Sequence, residues 1–307
     1  MPDLSIIIPA RNELYLKNTV EDLLSKFEGD TEIIVVLDGE MPLEPLPQYD
    51  RVSVIFNPIS IGQRAATNQG VRLSKAKFIM KMDAHCAIDQ GFDRKIIEHC
   101  EYDCTVIPRM YNLHVFDWKC LGCGKRTYQG PELTQCGECR GIKFEKVLVW
   151  YAKPKPTTDF TRFDANLHFQ YWHDYRKRPE AQGDIAETMS NLGACWMMHR
   201  QRYWDLGGLD ERHGSWGQMG TEISCKTWLS GGKQVVNKTT WFAHLFRTQG
   251  GFSFPYPISG EQQEQAKSHS RWLWLGNNWE GAKRPLSWII EHFSPVPEWE
   301  GIEQKIK

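Results

Sequence analysis

Short apolar runs that alternate with helical patterns constrain the fold of the first hundred residues more than any other feature. The runs at residues 4–9, 32–37 and 52–56 are rich in β-branched side chains. Helical periodicity follows the first run at residues 13–27, and a second helical pattern covers residues 62–75. Because alternating strands and helices form right-handed crossovers, the sequence predicts an α/β fold with a mostly parallel sheet and helices on both faces.

A fourth apolar run ends in two side chains that can bind a metal ion. Residues 78–82 lead directly into Asp83, Ala84 and His85. Side chains two residues apart in a strand point to the same face, so Asp83 and His85 would project together from the carboxyl end, where open α/β sheets bind ligands. Carboxylate and imidazole suit a divalent ion such as Mn²⁺, which can bridge a nucleotide diphosphate. A strand that ends in a polar turn is the alternative on these residues alone.

The composition limits the classes of protein that the chain can belong to. The formal net charge of the 307 residues is −1, which argues against bulk-charge binding of nucleic acid and leaves a local basic patch open. No apolar run approaches the roughly 18 residues of a membrane span, and the first residues lack a signal-peptide pattern. We therefore expect a protein without a membrane span, located in the cytoplasm of a bacterium or of a virus-infected host cell.

Four of the nine cysteines have the spacing of a zinc site. They form C-x2-C-x12-C-x2-C, and each pair lies on a turn that contains glycine: Cys120, Cys123, Cys136 and Cys139. Four thiolates can close a tetrahedral shell around Zn²⁺ and leave no position open for chemistry. Two disulfides would use the same residues, but they disagree with the missing secretory signal. The pattern predicts a small structural zinc ribbon or knuckle inserted into the α/β fold.

Several sequence blocks have the order and spacing of a known enzyme family. Residues 6–13 read IIIPARNE, residues 36–39 read VLDG, and residues 62–70 read GQRAATNQG. Together with the Asp-Ala-His motif at 83–85, these blocks resemble the GT-A nucleotide-sugar glycosyltransferases, and most closely the polypeptide N-acetylgalactosaminyltransferases. The Asp-x-His form of the metal motif marks that branch, whereas most other members carry Asp-x-Asp. The resemblance implies a Rossmann-like GT-A fold and a UDP-sugar donor.

The donor-binding residues that the resemblance implies lie at the ends of the predicted strands and in nearby loops. Asp38 would contact the nucleoside, and Arg64 would meet the diphosphate. Gly193 and Ala194 are small enough to let a sugar approach the backbone. The full implied set is Pro9, Ala10, Glu13, Asp38, Arg64, Asp83, Gly193 and Ala194.

Blocks in the second half of the chain agree with this resemblance. The pattern that starts at Trp216 and includes Glu222 is similar to the acceptor-side helix of the branch, and residues 244–247 read HLFR. The resemblance implies that His244 completes a site for Mn²⁺ or Mg²⁺ with Asp83 and His85. It also implies catalytic roles for Glu222, Trp216 and Arg247. Residues 252–255 resemble the loop that follows in the branch.

One departure from the family pattern concerns the reaction itself. Related inverting enzymes place their catalytic base in an acidic cluster, at the position that matches Gly220. Here Met219 and Gly220 stand in that cluster, and only Glu222 remains acidic. A carboxylate base is therefore missing, which favours a retaining reaction by analogy.

The resemblance also divides the chain into four parts. We predict a nucleotide-sugar-binding half at residues 1–116, a zinc-binding insertion at 117–145, and an acceptor-side, metal-completing half at 146–260. Residues 261–307 would form a C-terminal helix and arm.

The acceptor is predicted from the region beside the zinc insertion. Residues 147–180 interleave lysine and arginine with aromatic side chains, a composition that can contact phosphates and stack on bases. A hydroxymethylated base in DNA is therefore one predicted acceptor, reached by flipping or in a single strand. A protein Ser/Thr or a polysaccharide hydroxyl is the rival acceptor. A GT-A fold that binds ligands without catalysis is the rival class of protein.

Overall fold

The first part of the chain forms the parallel half of the sheet. A computed structural model describes residues 1–247, 256 and 259–300. Four parallel strands lie in the order β3-β2-β1-β4. Their bounds are β1 Leu4–Ala10, β2 Thr31–Asp38, β3 Val52–Asn57 and β4 Phe78–Met82. Each strand lies where an apolar run predicts one.

Helices cover both faces of this half, as predicted. Helix α1 spans Leu16–Lys26 and helix α2 spans Gln63–Leu73. Alternate residues of β1 explain the two layers, because Ile6 packs in the cluster that contains α1 and Ile7 packs in the cluster that contains α2. A strand covered on both faces has to be apolar throughout, and every residue of β1 is buried.

The second half of the sheet is mixed in direction. Strand β12, Cys195–His199, runs antiparallel to β4 and pairs on its other side with β6, Cys104–Cys120. Strand β13, Lys233–His244, is parallel to β6, and the short strands β5, Cys86–Ile88, and β11, Ile185–Glu187, pair with it. The sheet as a whole is therefore curled and mixed, with the parallel half at one end, and it brings the ends of β4 and β13 to one cavity.

A long ribbon leaves the sheet beside β13. Strand β6 spans Cys104–Cys120 and pairs antiparallel with β8, Phe144–Thr158, while β7, Arg126–Tyr128, adds at the tip. Both long strands run through the predicted limits at 116/117 and 145/146. The four cysteines are therefore carried at the end of two strands that belong to the main sheet.

The C-terminal residues pack on the core. Helix α6, Gly260–Ser270, starts with a capping box in which the hydroxyl of Ser259 accepts a hydrogen bond from the backbone N–H of Gln262. Helix α7, Leu286–His292, follows. Side chains beyond α6 join a cluster with helix α5, Met219–Leu229, so the predicted arm is part of the core as far as residue 299: Trp274, Leu286, Ile289, Ile290, Phe293 and Trp299.

The remaining elements connect these layers. They are α3 Phe92–Ile97, β9 Thr161–Phe163, β10 Phe169–Tyr171, α4 Arg200–Asp205 and α5 Met219–Leu229. Among the described residues, no helix combines the length and the apolar character that crossing a bilayer demands. The block at 252–255 and residues 301–307 lie outside the described residues.

Candidate active site and metal centres

A cavity of about 470 Å³ opens at the carboxyl ends of β1 and β4. This is the edge at which open α/β sheets bind ligands. Most of the residues that the sequence predicts for donor binding and catalysis line it together: Pro9, Glu13, Asp83, His85, Gly193, Ala194, Trp216, His244 and Arg247. The fold thus assembles in one place residues that are separated by more than two hundred positions in the chain.

Asp83, His85 and His244 form the metal-binding group of this cavity. Asp83 and His85 follow β4, and His244 is the last residue of β13. One ligand atom from each of them lies within 4.8 Å of the other two. The Nε2 atom of His244 lies 3.2 Å from Oδ2 of Asp83, and the Nδ1 atom of His244 is buried with no hydrogen-bond partner among the described residues. An oxygen and two imidazoles at this spacing fit a divalent transition ion.

The charges around Asp83 keep its carboxylate ionised. Burial opposes ionisation, but the ammonium group of Lys81 and the hydrogen bond from His244 outweigh it and hold the pKa of Asp83 well below its ordinary value. Lys81 is buried, contacts Asp83 and donates to the carbonyl of Gly193 over 2.8 Å. Burial lowers the pKa of His244 despite the nearby carboxylate and so favours the neutral ring. A carboxylate and a neutral imidazole are the forms that bind metal.

Glu13 orients two of the residues in the cavity. Its Oε2 atom lies 3.1 Å from Nδ1 of His85, and its other oxygen accepts from the guanidinium of Arg247. A carboxylate on one ring nitrogen of a histidine fixes the orientation and the tautomer of the ring. Glu13 lies in the loop after β1 and lines the cavity, and its role in donor binding stays a prediction.

Glu222 and Arg64 do not line the cavity. The Nε atom of Arg64 donates to Oε2 of Glu222 over 2.8 Å, and Lys226 and the backbone N–H of Asp210 donate to the other oxygen. Both members of the pair are buried, with exposures of 1% and 0%. Burial opposes ionisation of Glu222, yet Lys226, Arg64 and His213 hold its pKa at about 2. The carboxylate therefore joins α2 to α5, and its predicted contact with sugar or acceptor is absent from this arrangement.

Asp38 and Ala10 also lie behind the cavity wall. The carboxylate of Asp38 accepts from the backbone N–H groups of Ile61 and Gly62 and from the hydroxyl of Ser60. It therefore holds the loop that leads into α2. Ala10 is buried in the main core cluster. Both residues are buried and neither lines the cavity, so their predicted roles in donor binding stay predictions.

Close backbone packing fills the position at which related inverting enzymes place their base. A Cβ atom added to Gly220 would lie 1.8 Å from the carbonyl oxygen of Asn191, and one added to Gly193 would lie 3.0 Å from the N atom of Gly220. Gly193 has a φ of +86°, a conformation that favours glycine. Without a shift of the 191–193 loop, no side chain fits at position 220, so the missing carboxylate is a consequence of the packing.

The sequence pattern missed several residues that line the same cavity. Lys81 lies inside an apolar strand, where its neighbours gave no sign of a role. The side chains of Gln263, Ala266 and Lys267 reach the cavity from α6, which the sequence assigned to a peripheral tail. Since these positions are distant from every recognised block, only the packing of α6 against the sheet could show them.

The four predicted cysteines meet at the tip of the ribbon. Their sulfur atoms lie within 4.8 Å of one another, with Cys120 and Cys139 separated by 3.5 Å and Cys123 and Cys136 by 3.7 Å. Tetrahedral thiolates at about 2.3 Å from Zn²⁺ would lie about 3.8 Å apart. Backbone N–H groups of residues 138 and 139 lower the pKa of Cys136 to about 6. All four are free thiols, so the pairing into disulfides is not present.

Comparisons with known proteins agree with the fold. Residues 5–117 match the sequence profile of Glycosyl transferase family 2. A Drosophila melanogaster relative whose name places it among the polypeptide N-acetylgalactosaminyltransferases is 24% identical over 283 residues, which cover 86% of this chain and 45% of the relative. Polypeptide N-acetylgalactosaminyltransferase 6 of Bos taurus is 23% identical over 284 residues, with 89% and 42% covered. The chain spans about half the length of the curated relatives it matches.

A solved structure supports the same conclusion about architecture. The crystal structure of GalNAc-T7 with UDP, GalNAc and Mn²⁺ superimposes with a TM-score of 0.65 at 15% identity, covering 99% of this chain and 53% of the other. The chain therefore has a GT-A glycosyltransferase fold. The resemblance to the catalytic domain of the polypeptide N-acetylgalactosaminyltransferases, expected from the motifs, is confirmed.

Proposed function

We propose that this chain is a metal-dependent glycosyltransferase that moves a sugar from a UDP-sugar donor to a hydroxyl acceptor. The observation that carries the proposal is the convergence of Asp83, His85 and His244 within 4.8 Å at a cavity of the GT-A fold. The matched family profile supports the reaction type. The UDP and Mn²⁺ in the GalNAc-T7 structure support the donor and the ion.

Asp83, His85 and His244 would hold Mn²⁺ or Mg²⁺ on the floor of the cavity. Such an ion acts as a Lewis acid that stabilises negative charge on a leaving diphosphate. Glu13 would keep the ring of His85 in place through the 3.1 Å contact with Nδ1. Three protein ligands leave positions for substrate oxygens and water, which a closed shell would not.

Two fixed cations in the same cavity would assist in binding the diphosphate. Arg247 and Lys81 are buried, with exposures of 5% and 1%, and both line the cavity. A guanidinium can donate two parallel hydrogen bonds to a phosphate, and a buried ammonium contributes a point charge. Each cation already pairs with a carboxylate, Lys81 with Asp83 and Arg247 with Glu13. A bound diphosphate would therefore share each cation with that carboxylate.

The sugar would lie against the loop at residues 193–194. Gly193 and Ala194 line the cavity with almost no side chain, and Trp216 forms part of the opposite wall. Aromatic rings commonly pack on the apolar faces of bound groups. We propose that these three residues form the sugar-binding part of the cavity.

We propose a retaining outcome because position 220 leaves no room for a base. Gly220 packs against the Asn191 carbonyl so closely that a Cβ atom would lie 1.8 Å from it. An inverting displacement needs a base that activates the acceptor hydroxyl on the face opposite the leaving group. Proton NMR of the first product would distinguish the outcomes, since the anomeric configuration of the transferred sugar is read from its coupling constant.

Several macromolecules carry hydroxyl groups that could accept the sugar, and we place DNA first. A hydroxymethylated base is the acceptor that the basic and aromatic region at 147–180 favours. None of the reported comparisons supports DNA, and the names of the relatives point to polypeptides. A protein Ser/Thr or a glycan hydroxyl is therefore the matched alternative that the experiment has to include.

A screen of UDP release tests the function as a whole. Purified protein is incubated with UDP-N-acetylgalactosamine, UDP-N-acetylglucosamine, UDP-galactose or UDP-glucose, with Mn²⁺ or with EDTA. Hydroxymethylated DNA, a Ser/Thr-rich peptide and a glycan serve as acceptors. We expect Mn²⁺-dependent UDP release with one donor, increased by one acceptor. Absence of release with every donor would support the rival, a binding module without catalysis.

The ribbon tip is proposed to hold one structural Zn²⁺ between Cys120, Cys123, Cys136 and Cys139. The separations of their sulfur atoms fit the shell that tetrahedral zinc requires. These four cysteines are free in the described chain, which leaves their sulfur atoms available to bind the ion. Metal analysis of the purified protein would show about one zinc per chain.

A further inference from the structure

A second cavity, of about 660 Å³, follows the ribbon between the metal centre and the cysteine tip. Strand β6 contributes Asn112 and His114 to its lining, β7 contributes Tyr128, and β8 contributes Tyr151, Lys153 and Lys155. Asn112 is in register with His244 on the neighbouring parallel strand. The groove therefore begins one strand spacing, about 4.8 Å, from the backbone of a proposed metal ligand.

Three aromatic rings form one wall of this groove. The ring of His114 lies between those of Tyr128 and Tyr151, with centroid separations of 4.6 Å and 4.8 Å. Its Nδ1 atom is 2.6 Å from the Tyr151 hydroxyl, and its Nε2 atom is 2.8 Å from a carboxylate oxygen of Asp117. These contacts hold Tyr151 in place while 48% of it stays exposed. A flat, fixed ring of this kind can stack on another planar group.

Lysines line the groove without carboxylate partners. Lys153 lies over the Tyr128 ring, with Nζ 3.8 Å from the centroid. Lys119 and Lys125, nearer the tip, are paired with Glu145 and Glu138 at 2.7 Å and 2.8 Å. Within the described ranges, neither Lys153 nor Lys155 has an acidic group at ion-pair distance. Two positive charges are therefore available to an anionic ligand.

Charge is segregated toward this ribbon. Residues 111–158 contain eight lysine and arginine residues against four acidic ones, whereas the whole chain contains 37 against 38. The ribbon is therefore a basic surface on a nearly neutral protein. Local positive charge of this kind attracts polyanions and is screened by salt.

Prolines on β8 disfavour a peptide strand as the occupant. Pro154 and Pro156 alternate with the two unpaired lysines and are exposed. Because proline has no backbone N–H, this part of β8 cannot provide the ladder of hydrogen bonds that an added peptide strand needs. The groove can therefore recognise a ligand through the charges of Lys153 and Lys155 and the face of the Tyr151 ring.

We infer that the groove binds a nucleic-acid strand, with phosphates at Lys153 and Lys155 and a base stacked on Tyr151, and leads it toward the metal centre. Stacking platforms beside a positive groove are the usual means of holding single strands. This inference rests on the proposed function, because it identifies the acceptor of the transferred sugar as nucleic acid. Binding of nucleic acid is measured without the sugar donor, so the binding and the transferase function can be disproved separately.

Fluorescence anisotropy with a labelled single-stranded 20-mer, and with its duplex, tests this inference on the full chain. We expect binding to weaken steeply between about 50 and 200 mM salt. The double variant Lys153→Ala/Lys155→Ala should bind about tenfold more weakly and lower the salt slope by about 1.4, since each single-strand phosphate contact contributes about 0.7. Tyr151→Ala should cost about tenfold, and Tyr151→Phe should keep affinity within about twofold, because the ring does the stacking.

The matched control is Lys119→Ala/Lys125→Ala, which removes the same charge from lysines that are already paired. It should change affinity by less than about twofold. Mn²⁺-dependent UDP release measured without acceptor should be unchanged in both double variants, which would show that the cavity is intact. Equal losses in the two double variants, tighter binding of an acidic peptide or glycan than of the strand, or no binding at low salt would each overturn the inference. UDP release without nucleic-acid binding would support the proposed function and contradict only the proposal that the groove binds nucleic acid.

Discussion

The two groups of metal-binding side chains in this protein differ in how their ligands are brought together. Asp83 and His244 are 161 positions apart in the chain, whereas Cys120 and Cys139 are 19 apart. The first group lies in a buried cavity, and the second lies at a ribbon tip with Cys123 exposed. Three ligands leave room for a substrate, and four thiolates leave none. The difference indicates chemistry at the first centre and local structural support at the second.

The largest expected effect comes from removing the charged ligand of the cavity centre. Asp83→Asn should lower Mn²⁺-dependent UDP release about 100-fold or more, because the ion loses its only carboxylate among the three proposed ligands. Steady-state kinetics at several Mn²⁺ concentrations would measure it. Asp174→Asn, at a carboxylate that is 82% exposed, is the control. Equal activity in Asp83→Asn and Asp174→Asn would contradict a catalytic role for the metal centre in the cavity.

The residue that orients a ligand should have an effect of intermediate size. Glu13→Gln should weaken the apparent affinity for Mn²⁺ by about 10- to 100-fold, because the His85 ring loses a carboxylate on Nδ1. Saturating Mn²⁺ should recover part of the turnover. Titration of activity against Mn²⁺ checks this, with Glu28→Gln as the comparison at an exposed carboxylate. An unchanged Mn²⁺ dependence would show that Glu13 acts only on Arg247.

The buried pair behind the cavity should affect stability more than chemistry. Glu222→Gln leaves Arg64 and Lys226 buried without their carboxylate, so the free energy of unfolding should fall by about 3–5 kcal/mol in urea denaturation. In the parent protein the pKa of Glu222 is about 2, below its ordinary value of 4.5. The unfolded chain therefore takes up the proton first, and this part of the stability should disappear as the pH falls from about 4.5 towards 2.

Two observations would separate that structural role from a catalytic one. Glu264→Gln, at an exposed ion pair with Arg271, should leave the unfolding curve nearly unchanged. Folded Glu222→Gln protein should keep UDP release within about tenfold of the parent. A larger loss with unchanged stability would return Glu222 to a direct role in the reaction, as the sequence motif implies.

The smallest effect on turnover is expected at the ribbon tip. Cys123→Ser/Cys139→Ser should remove the zinc and increase hydrogen exchange in residues 117–145, because the shell closes only that part of the ribbon. UDP release without acceptor should stay within about threefold of the parent. Cys100→Ser, outside the cluster, is the control for replacing a thiol. A loss of turnover as large as that of Asp83→Asn would show that the two centres are not independent.

Local patterns predicted the elements that hold both centres. Each apolar run in residues 4–83 is a strand in the structure. For β1, β2 and β4 the reason is burial, because a strand buried on both faces must be apolar along its length, whereas β3 is a half-exposed edge strand. The cysteine spacing predicted the cluster at the tip, since both turns are local. The family motif predicted that His244 joins Asp83 and His85, although no periodicity in the chain relates these positions.

Other features of the site depend on contacts that no local pattern encodes. Arg64 and Glu222 looked like residues that meet the substrate, and they pair with each other because α2 and α5 contribute to the same core cluster. Lys81 resembled an interruption of an apolar strand, and it is the charge that faces Asp83. Helix α6 looked peripheral, and it forms part of the cavity wall.

The sequence by itself determined the strands, the helices that cover them, and the identity of the side chains able to bind metal. The tertiary structure alone decided which charges face the cavity and which are paired behind it, and it placed the groove of the ribbon beside His244. The physical reason is the separation in sequence between the residues that interact. Strand patterns and cysteine turns reflect neighbours a few residues apart, whereas the partner of a buried charge is set by how distant helices and strands pack.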